Sequence, residues 1–339
     1  MKQQSVKVPP PIFVTGAPRS GTTLIAKILG RHSRIFMPGE THFFDDIYIR
    51  RRELGELSDV ASRQRVLARL RTLYRRYDEN SDQQRIDKLL QTDGVLEKLT
   101  SCASYKTMFS YFMEIQVRPV GKVRWGNNVP KDIFHVEDIL SFYPAAKFIV
   151  CVRDVRDFLL SYKNKWRHTG DENADRVRRL YHPIVTTLLW KASVKQIIRM
   201  KDLVPRENLM VIRYENFVQN PVKVVGEICR FVGEKFEADM LNVDEENSSF
   251  DVPQKGIYSS SVGRWRRLLT SEEAYVAQKL ARRGLLELGY GTTELKVNPL
   301  TVSCMYVTVP FGLWRALRAN RALRGPLLPY VGRRFAALR

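Results

Sequence analysis

Apolar positions recur along this chain in two alternating rhythms. Ile12–Thr15 is a short apolar run leading into a glycine-punctuated turn, after which Leu24, Ile25, Ile28 and Leu29 recur at helical spacing across Thr22–Leu29. Lys147–Val152 (Lys-Phe-Ile-Val-Cys-Val) is a continuous apolar strand, as expected where a sheet is covered on both faces, and Leu209–Ile212 reads the same way. The helices that follow carry their own start signals. Asp154 predicts an N-cap behind the Lys147–Val152 strand. Asn220-Pro221 predicts a cap plus first-turn proline, opening a helix with Val222, Val225, Ile228 and Val232 on one face. Thr270 with Glu273 forms a capping box before Ala274–Leu280. Strand-like runs alternating with helical patterns predict an α/β fold with a mainly parallel sheet and helices on both faces.

Two regions depart from this alternation. Residues 45–105 are highly charged and helix-prone, with basic runs at Arg50-Arg51-Arg52 and Arg75-Arg76, and predict a helical insertion after the second strand. Residues 296–339 form a basic, apolar C-terminal extension with no acidic residue after Glu294, its arginines interleaved with Trp314, Leu317, Leu323, Leu327 and Tyr330. That extension reads either as a membrane-surface segment or as a basic helix packed on its own domain. The main domain is expected over residues 8–295. Residues 1–11 are polar and proline-rich, without a secretory pattern, and the uncharged run Pro299–Trp314 is shorter than a bilayer span of about 20 helical residues. A soluble or peripheral protein is the expectation.

Over 339 residues, 56 Lys and Arg face 36 Asp and Glu, a formal charge of +20. Such an excess implies an anionic partner but does not say which: nucleotide, nucleic acid, acidic peptide or membrane surface. Cys102, Cys151, Cys229 and Cys304 are widely spaced and form no metal-type pairs. Cys151 and Cys229 fall in apolar patterns and are expected as buried thiols, which suits a reducing compartment.

The densest candidate chemistry is Phe13-Val14-Thr15-Gly16-Ala17-Pro18-Arg19-Ser20-Gly21-Thr22-Thr23, a strand, a turn and a helix start. Backbone N–H groups of such a turn, with the helix N-terminus near Thr22, form an anion hole. Arg19 adds a fixed positive fork, and Ser20, Thr22 and Thr23 add hydroxyl donors. Gly16 and Gly21 keep the spacing of a triphosphatase phosphate loop and Thr23 takes its hydroxyl position, but Thr22 stands where that loop carries lysine. The missing lysine points to a nucleotide that is not used as ATP. A second constellation runs from Cys151 through Arg153-Asp154-Val155-Arg156-Asp157 to Ser161, Tyr162 and Lys165. Arg153 ends a buried strand, where open α/β sheets bind ligands; Ser161 and Lys165 are expected on one face of the following helix. These groups suit a second phosphate, the competing reading being Arg153–Asp157 ion pairs that cap the helix.

Two phosphate sites without the lysine match a nucleotide bearing a 5′-phosphosulfate and a 3′-phosphate. With these motifs the chain resembles, from about residue 12 to residue 270, the sulfotransferases that use 3′-phosphoadenylyl sulfate (PAPS), most of all the branch containing the tyrosylprotein sulfotransferases. The resemblance implies that Pro18–Thr23, with Arg19, Ser20, Gly21, Thr22 and Thr23, binds the 5′-phosphosulfate. It implies that Arg153 and Ser161 bind the 3′-phosphate with Lys165 as a further basic group, and that Tyr214 of Tyr214-Glu215 helps hold the nucleotide. Gly39-Glu40-Thr41 matches a segment whose glutamate is the general base, so Glu40 is the expected base, ranked above His42 and His135. Lys131 of Lys131-Asp132-Ile133-Phe134 is implied to neutralise charge on the transferred group. Downstream, Ser248-Ser249 and Lys255 to Trp265 resemble a segment that closes over the nucleotide, with Ser249 near the family's transition-state serine, Arg264 in place of its lysine, and Lys255 and Ser260 among the nucleotide contacts.

The resulting expectation is a single P-loop-like three-layer α/β domain that transfers a sulfuryl group from PAPS to an acceptor hydroxyl without a metal. The acceptor is left open among small metabolite, lipid, glycan and peptide tyrosine, as is the oligomeric state. A cytoplasmic enzyme of bacterial type is expected, with peripheral membrane contact through the C-terminal extension. The alternatives are a P-loop kinase or nucleotide triphosphatase, and a non-enzymatic basic module that binds nucleotide, nucleic acid or membrane.

Overall fold

The computed structural model of the chain describes residues 9–77, 81–168, 171–243 and 256–319. Its elements begin with β1 (Ile12–Gly16), α1 (Thr22–Arg31) and the two-residue β2 (Ile35–Phe36). The helices α2 (Arg51–Leu54), α3 (Val60–Tyr77), α4 (Ser81–Leu90), α5 (Val95–Thr100) and α6 (Tyr105–Val117) fill the stretch before β3 (Arg124–Asn128). Then come α7 (Val136–Phe142), β4 (Lys147–Val152), α8 (Val155–Lys163), α9 (Asp171–Arg178), α10 (Pro183–Leu203) and β5 (Leu209–Arg213). The chain continues through α11 (Tyr214–Gln219), α12 (Pro221–Val232), α13 (Trp265–Leu268), α14 (Ser271–Glu287), α15 (Pro299–Val307) and α16 (Val309–Ala319).

The sheet is parallel throughout, in the order β2-β3-β1-β4-β5, with Phe13 level with Asn127 on one side and Phe148 on the other. Alternation along the strands feeds two cores. Phe13, Phe148, Val150 and Val152 face one side, with Trp190, Phe109 and Phe43; Ile12, Val14, Ile149 and Cys151 face the other, with Ile25, Ile28, Val225 and Ile228. Both faces are therefore covered, and the expected α/β fold is observed. The helices between β2 and β3 are built into the first core. Phe43 stacks on Phe109 of α6 at 4.2 Å, and Phe44 packs edge-on against Phe13 of β1 at 6.2 Å.

Local signals act as anticipated in most places. Asp154 accepts a hydrogen bond from the Arg156 N–H, and Thr270 with Glu273 closes a reciprocal capping box. Asn220 precedes α12 but makes no side-chain cap, and Val222 in its first turn is 59% exposed, leaving Val224, Val225, Ile228, Cys229 and Val232 as the covered face. Helix α8 ends at Lys163, one turn short of the expected face, because Asn164 closes it through backbone and side-chain bonds to Leu160 O. Lys165 instead begins a separate 3-10 turn, Lys165–His168. Cys151 and Cys229 are buried free thiols, as expected.

Candidate active site

A cleft of about 350 Å³ lies beyond the carboxyl ends of β1, β3, β4 and β5, where parallel sheets of this kind place their ligands. Its floor is the β1–α1 turn. Gly16 has φ +139° and sits so close to β4 that a Cβ would come within 2.1 Å of the Cys151 carbonyl oxygen, which also accepts from the Ala17 N–H at 3.1 Å. Gly21, φ +89°, caps α1 from the left-handed region; a Cβ there would meet the Tyr214 ring at 2.7 Å. Arg19 at φ 65° and His42 at φ 49° are the non-glycine residues with positive φ among the described residues. Both line the cleft, the usual setting for backbone strain that neighbouring structure holds in place.

Arg19 Nε donates to Ser161 Oγ at 3.1 Å, joining the turn to α8. Desolvation draws Arg19 below its ordinary value, with the nearby Arg153 acting in the same direction. The Ser20 hydroxyl is buried with no hydrogen-bond partner among the described residues and does not line the cleft, whereas Thr22 and Thr23 do.

The competing ion-pair reading of Arg153 does not hold. The ion pair belongs to Arg156, which reaches Asp154 at 2.6 Å and stacks over Trp265 at 4.3 Å. Arg153 lies over the Tyr214 ring at 4.4 Å and donates to Ser261 O at 2.8 Å, while its Nε is buried without a partner among the described residues. Asp157 instead accepts from the N–H groups of Gly263 at 2.6 Å and Trp265 at 3.0 Å, which holds the intervening Arg264 at the cleft. Tyr214 is hydrogen-bonded to Ser261 Oγ at 2.8 Å. Lys165 lines the cleft despite lying off α8; burial and the neighbouring Arg19 bring its ammonium down to about 8.

The opposite wall carries Glu40, His42, Pro130 and Lys131. Buried polar bonds fix this wall. Thr41 Oγ1 donates to Asn127 Oδ1 at 2.8 Å, Asn127 Nδ2 donates to Asp132 at 2.6 Å, and Thr15 Oγ1 donates to Pro130 O at 2.9 Å. Burial, reinforced by the Asp45 charge, pushes Asp132 well above the ordinary carboxylate range.

A chain of charges runs along the wall. Lys131 Nζ donates to Asp45 at 3.0 Å, Asp45 pairs with His42 Nδ1 at 2.8 Å, and His42 Nε2 stands 3.0 Å from Glu40 Oε2. Burial works against charge on His42, but its bonds to Asp45 and Glu40 prevail and push it up to about 9. Burial likewise opposes ionising Asp45, yet Lys131 and His42 hold it well below the usual carboxylate range. His42 is therefore an imidazolium at neutral pH, holding the proton that a base would have to lack.

The structure brings Arg19, Gly21, Thr22, Thr23, Glu40, Lys131, Arg153, Ser161, Lys165, Tyr214 and Arg264 to one cleft. Ser260 is exposed and does not line the cleft; its carbonyl accepts from Arg264 Nε at 2.9 Å, and its neighbour Ser261 takes the lining position. His135 is buried away from the cleft lining, its Nδ1 3.4 Å from Asp138. Ser248, Ser249 and Lys255 lie outside the described residues. Sequence reasoning assigned no role to Asp45, nor to Tyr162, Tyr258 and Ser261, although Tyr162 stands in the second constellation and the other two in the Lys255–Trp265 segment. Among the described residues no group of three His, Cys, Asp or Glu is placed to hold a metal ion. Chemically, the cleft offers several separated cations and a partly exposed carboxylate to an elongated polyanion.

The model of the sulfotransferase family matches residues 10–238. An uncharacterized protein of Aquifex aeolicus (strain VF5) is 25% identical over 265 residues, 76% of this chain and 30% of that protein. Sulfotransferase 2A6 of Rattus norvegicus is 27% identical over 124 residues, covering 35% of this chain and 43% of its own. The matched region thus spans less than half the length of these curated relatives. Among solved structures, the sulfotransferase domain from the curacin biosynthetic pathway superposes with a TM-score of 0.57 at 20% identity, over 84% of this chain and 99% of that one. The sulfotransferase domain from the Synechococcus PCC 7002 olefin synthase gives 0.51 at 20% identity, over 80% and 94%. These two likenesses establish a shared fold.

Proposed function

The chain belongs to the sulfotransferase family, and from that premise we propose that it moves a sulfuryl group from PAPS to an acceptor hydroxyl, releasing adenosine 3′,5′-bisphosphate. The observation that carries the reading is the pair of cationic stations bridged by the Arg19–Ser161 hydrogen bond. The β1–α1 turn with Arg19 is one; Arg153, Ser161 and Lys165 are the other. Among the described residues the buried Arg153 Nε has no hydrogen-bond partner, an unsatisfied donor of the kind an anion site leaves. A triphosphatase reading lacks its lysine, the position being Thr22.

In this mechanism Glu40 accepts the proton of the acceptor hydroxyl as its oxygen bonds to sulfur. The bond between sulfur and the 5′-phosphate oxygen breaks, and its electron pair leaves on that oxygen. Lys131 and Arg19 balance the charge that builds on the transferred group and the leaving phosphate. His42, already protonated, orients Glu40 and does not compete for the proton. As in phosphoryl transfer, positioning and charge neutralisation supply most of the acceleration. The acceptor is a hydroxyl compound approaching the wall of Glu40 and Lys131.

The test is transfer of labelled sulfate from PAPS into fractionated peptide, glycan, lipid and metabolite hydroxyls. Glu40→Gln and Lys131→Ala are each expected to lower turnover by about 10²-fold or more while nucleotide binding persists. Near-parental turnover in both variants refutes the assigned roles.

A further inference from the structure

The C-terminal helix pair α15/α16 turns polar contacts to the domain and large apolar side chains outward. The inner face is docked on the domain. Gly312 is buried against His182, where a Cβ would meet the ring at 2.7 Å, and His182 Nε2 lies 3.2 Å from Thr308 Oγ1. Arg315 donates to the carbonyl oxygens of Arg179 at 3.1 Å and Tyr181 at 2.7 Å, and the Asn298 N–H donates to Glu272 at 3.0 Å. The outer face carries Leu300, Val307, Phe311 and Trp314 at spacings of seven, four and three residues, 76%, 78%, 58% and 52% exposed, with Leu313 beside them. A surface helix ordinarily presents polar residues outward. Here large apolar side chains face out, with Phe311 and Trp314 stacked at 5.7 Å and Arg318 over the Trp314 ring at 5.3 Å.

We propose that this outer face seats the protein on an anionic lipid surface, lying in the plane of the headgroups. Among the described residues no single helix is long and apolar enough to cross a membrane; α15 and α16 reach that length and apolarity only as a pair bent by 47°, and the inner face of the pair is bonded to the domain. The pair therefore lies on a bilayer and does not traverse it. Charge selects the occupant. From residue 295 onward the sequence holds eight Lys and Arg and no Asp or Glu. Arg318, exposed and lying over the Trp314 ring, adjoins the apolar side chains, the pattern of a helix that sinks apolar groups while a cation meets lipid phosphates. A second copy of this chain is disfavoured because each copy would bring the same cations and a formal charge of +20 to the contact. The inference stands apart from the transfer chemistry, since none of these side chains lines the cleft.

The test is flotation of the full-length protein with phosphatidylcholine vesicles, with and without phosphatidylglycerol. Binding is expected to the mixed vesicles and to be weak on phosphatidylcholine alone. Phe311→Ser/Trp314→Ser, and independently Leu300→Ser/Val307→Ser, should each weaken it by about tenfold or more, each having lost the burial of two apolar side chains. Both variants should retain the parental thermal midpoint and the parental affinity for adenosine 3′,5′-bisphosphate. No flotation with the mixed vesicles overturns the proposal, as does flotation that neither variant weakens. A concentration-dependent dimer that the substitutions abolish, without vesicle binding, overturns it in favour of self-association.

Discussion

Replacing His42 by glutamine removes a ring that stands between two carboxylates, its Nδ1 2.8 Å from Asp45 and its Nε2 3.0 Å from Glu40. The imidazole rises from an ordinary value of 6.5 to about 9. At roughly 1.4 kcal/mol for each pH unit, this ties on the order of 3 kcal/mol of folding free energy to the imidazolium. The folded-state value lies above the unfolded one. The stabilisation is therefore complete below about pH 6.5, declines between there and about pH 9, and is absent above. Urea unfolding of the parent and of His42→Gln, run in parallel across this range, cancels the titration of groups that do not interact with His42. Glutamine keeps some hydrogen bonding and none of the charge. The variant should thus be less stable by a few kcal/mol near pH 6, and the gap should shrink by about 2–3 kcal/mol on going to pH 9.5. A gap that stays constant with pH refutes the reasoning, because it would mean that His42 carries no bound proton to lose.

Gly21→Ala places a Cβ at φ +89° and 2.7 Å from the Tyr214 ring, so it should cost on the order of 1–3 kcal/mol in urea unfolding and weaken adenosine 3′,5′-bisphosphate binding in calorimetry. Lys165, brought down to about 8 by burial and by Arg19, loses its charge above that pH in the unliganded protein. Affinity for adenosine 3′,5′-bisphosphate should then fall by up to about tenfold per pH unit above pH 8, one proton being taken up on binding. Lys165→Gln should bind more weakly at pH 7 and flatten this dependence.

β1, β4 and β5 were legible because they are runs of apolar residues: β1 and β4 feed the two cores from both faces, and β5, at the sheet edge with Ile212 buried, still reads Leu-Met-Val-Ile. β3 escaped notice because it reads Arg-Trp-Gly-Asn-Asn. Its polar side chains are buried, and several of their partners lie far away in sequence: Arg124 donates to the carbonyl oxygens of Pro10 and Val232, and Asn127 accepts from Thr41. No local pattern encodes such partners. The same limit applied to the site. Arg19, Arg153 and Tyr214 stand at strand ends and could be found by position, whereas the Lys131–Asp45–His42–Glu40 chain spans two loops more than eighty residues apart. Helical phase failed at Lys165, which the end of α8 at Lys163 moves into a separate turn that still lines the cleft.

The central claim is that the cleft holds a nucleotide with phosphate groups at both its 5′ and 3′ ends. Calorimetric titration with adenosine 3′,5′-bisphosphate and with adenosine 5′-monophosphate, both without magnesium, tests it most directly. The bisphosphate should bind about tenfold or more tightly, and Arg153→Ala should erase that preference while leaving the weaker monophosphate affinity nearly unchanged. Equal affinity for the two nucleotides, or a preference that survives Arg153→Ala, contradicts the account.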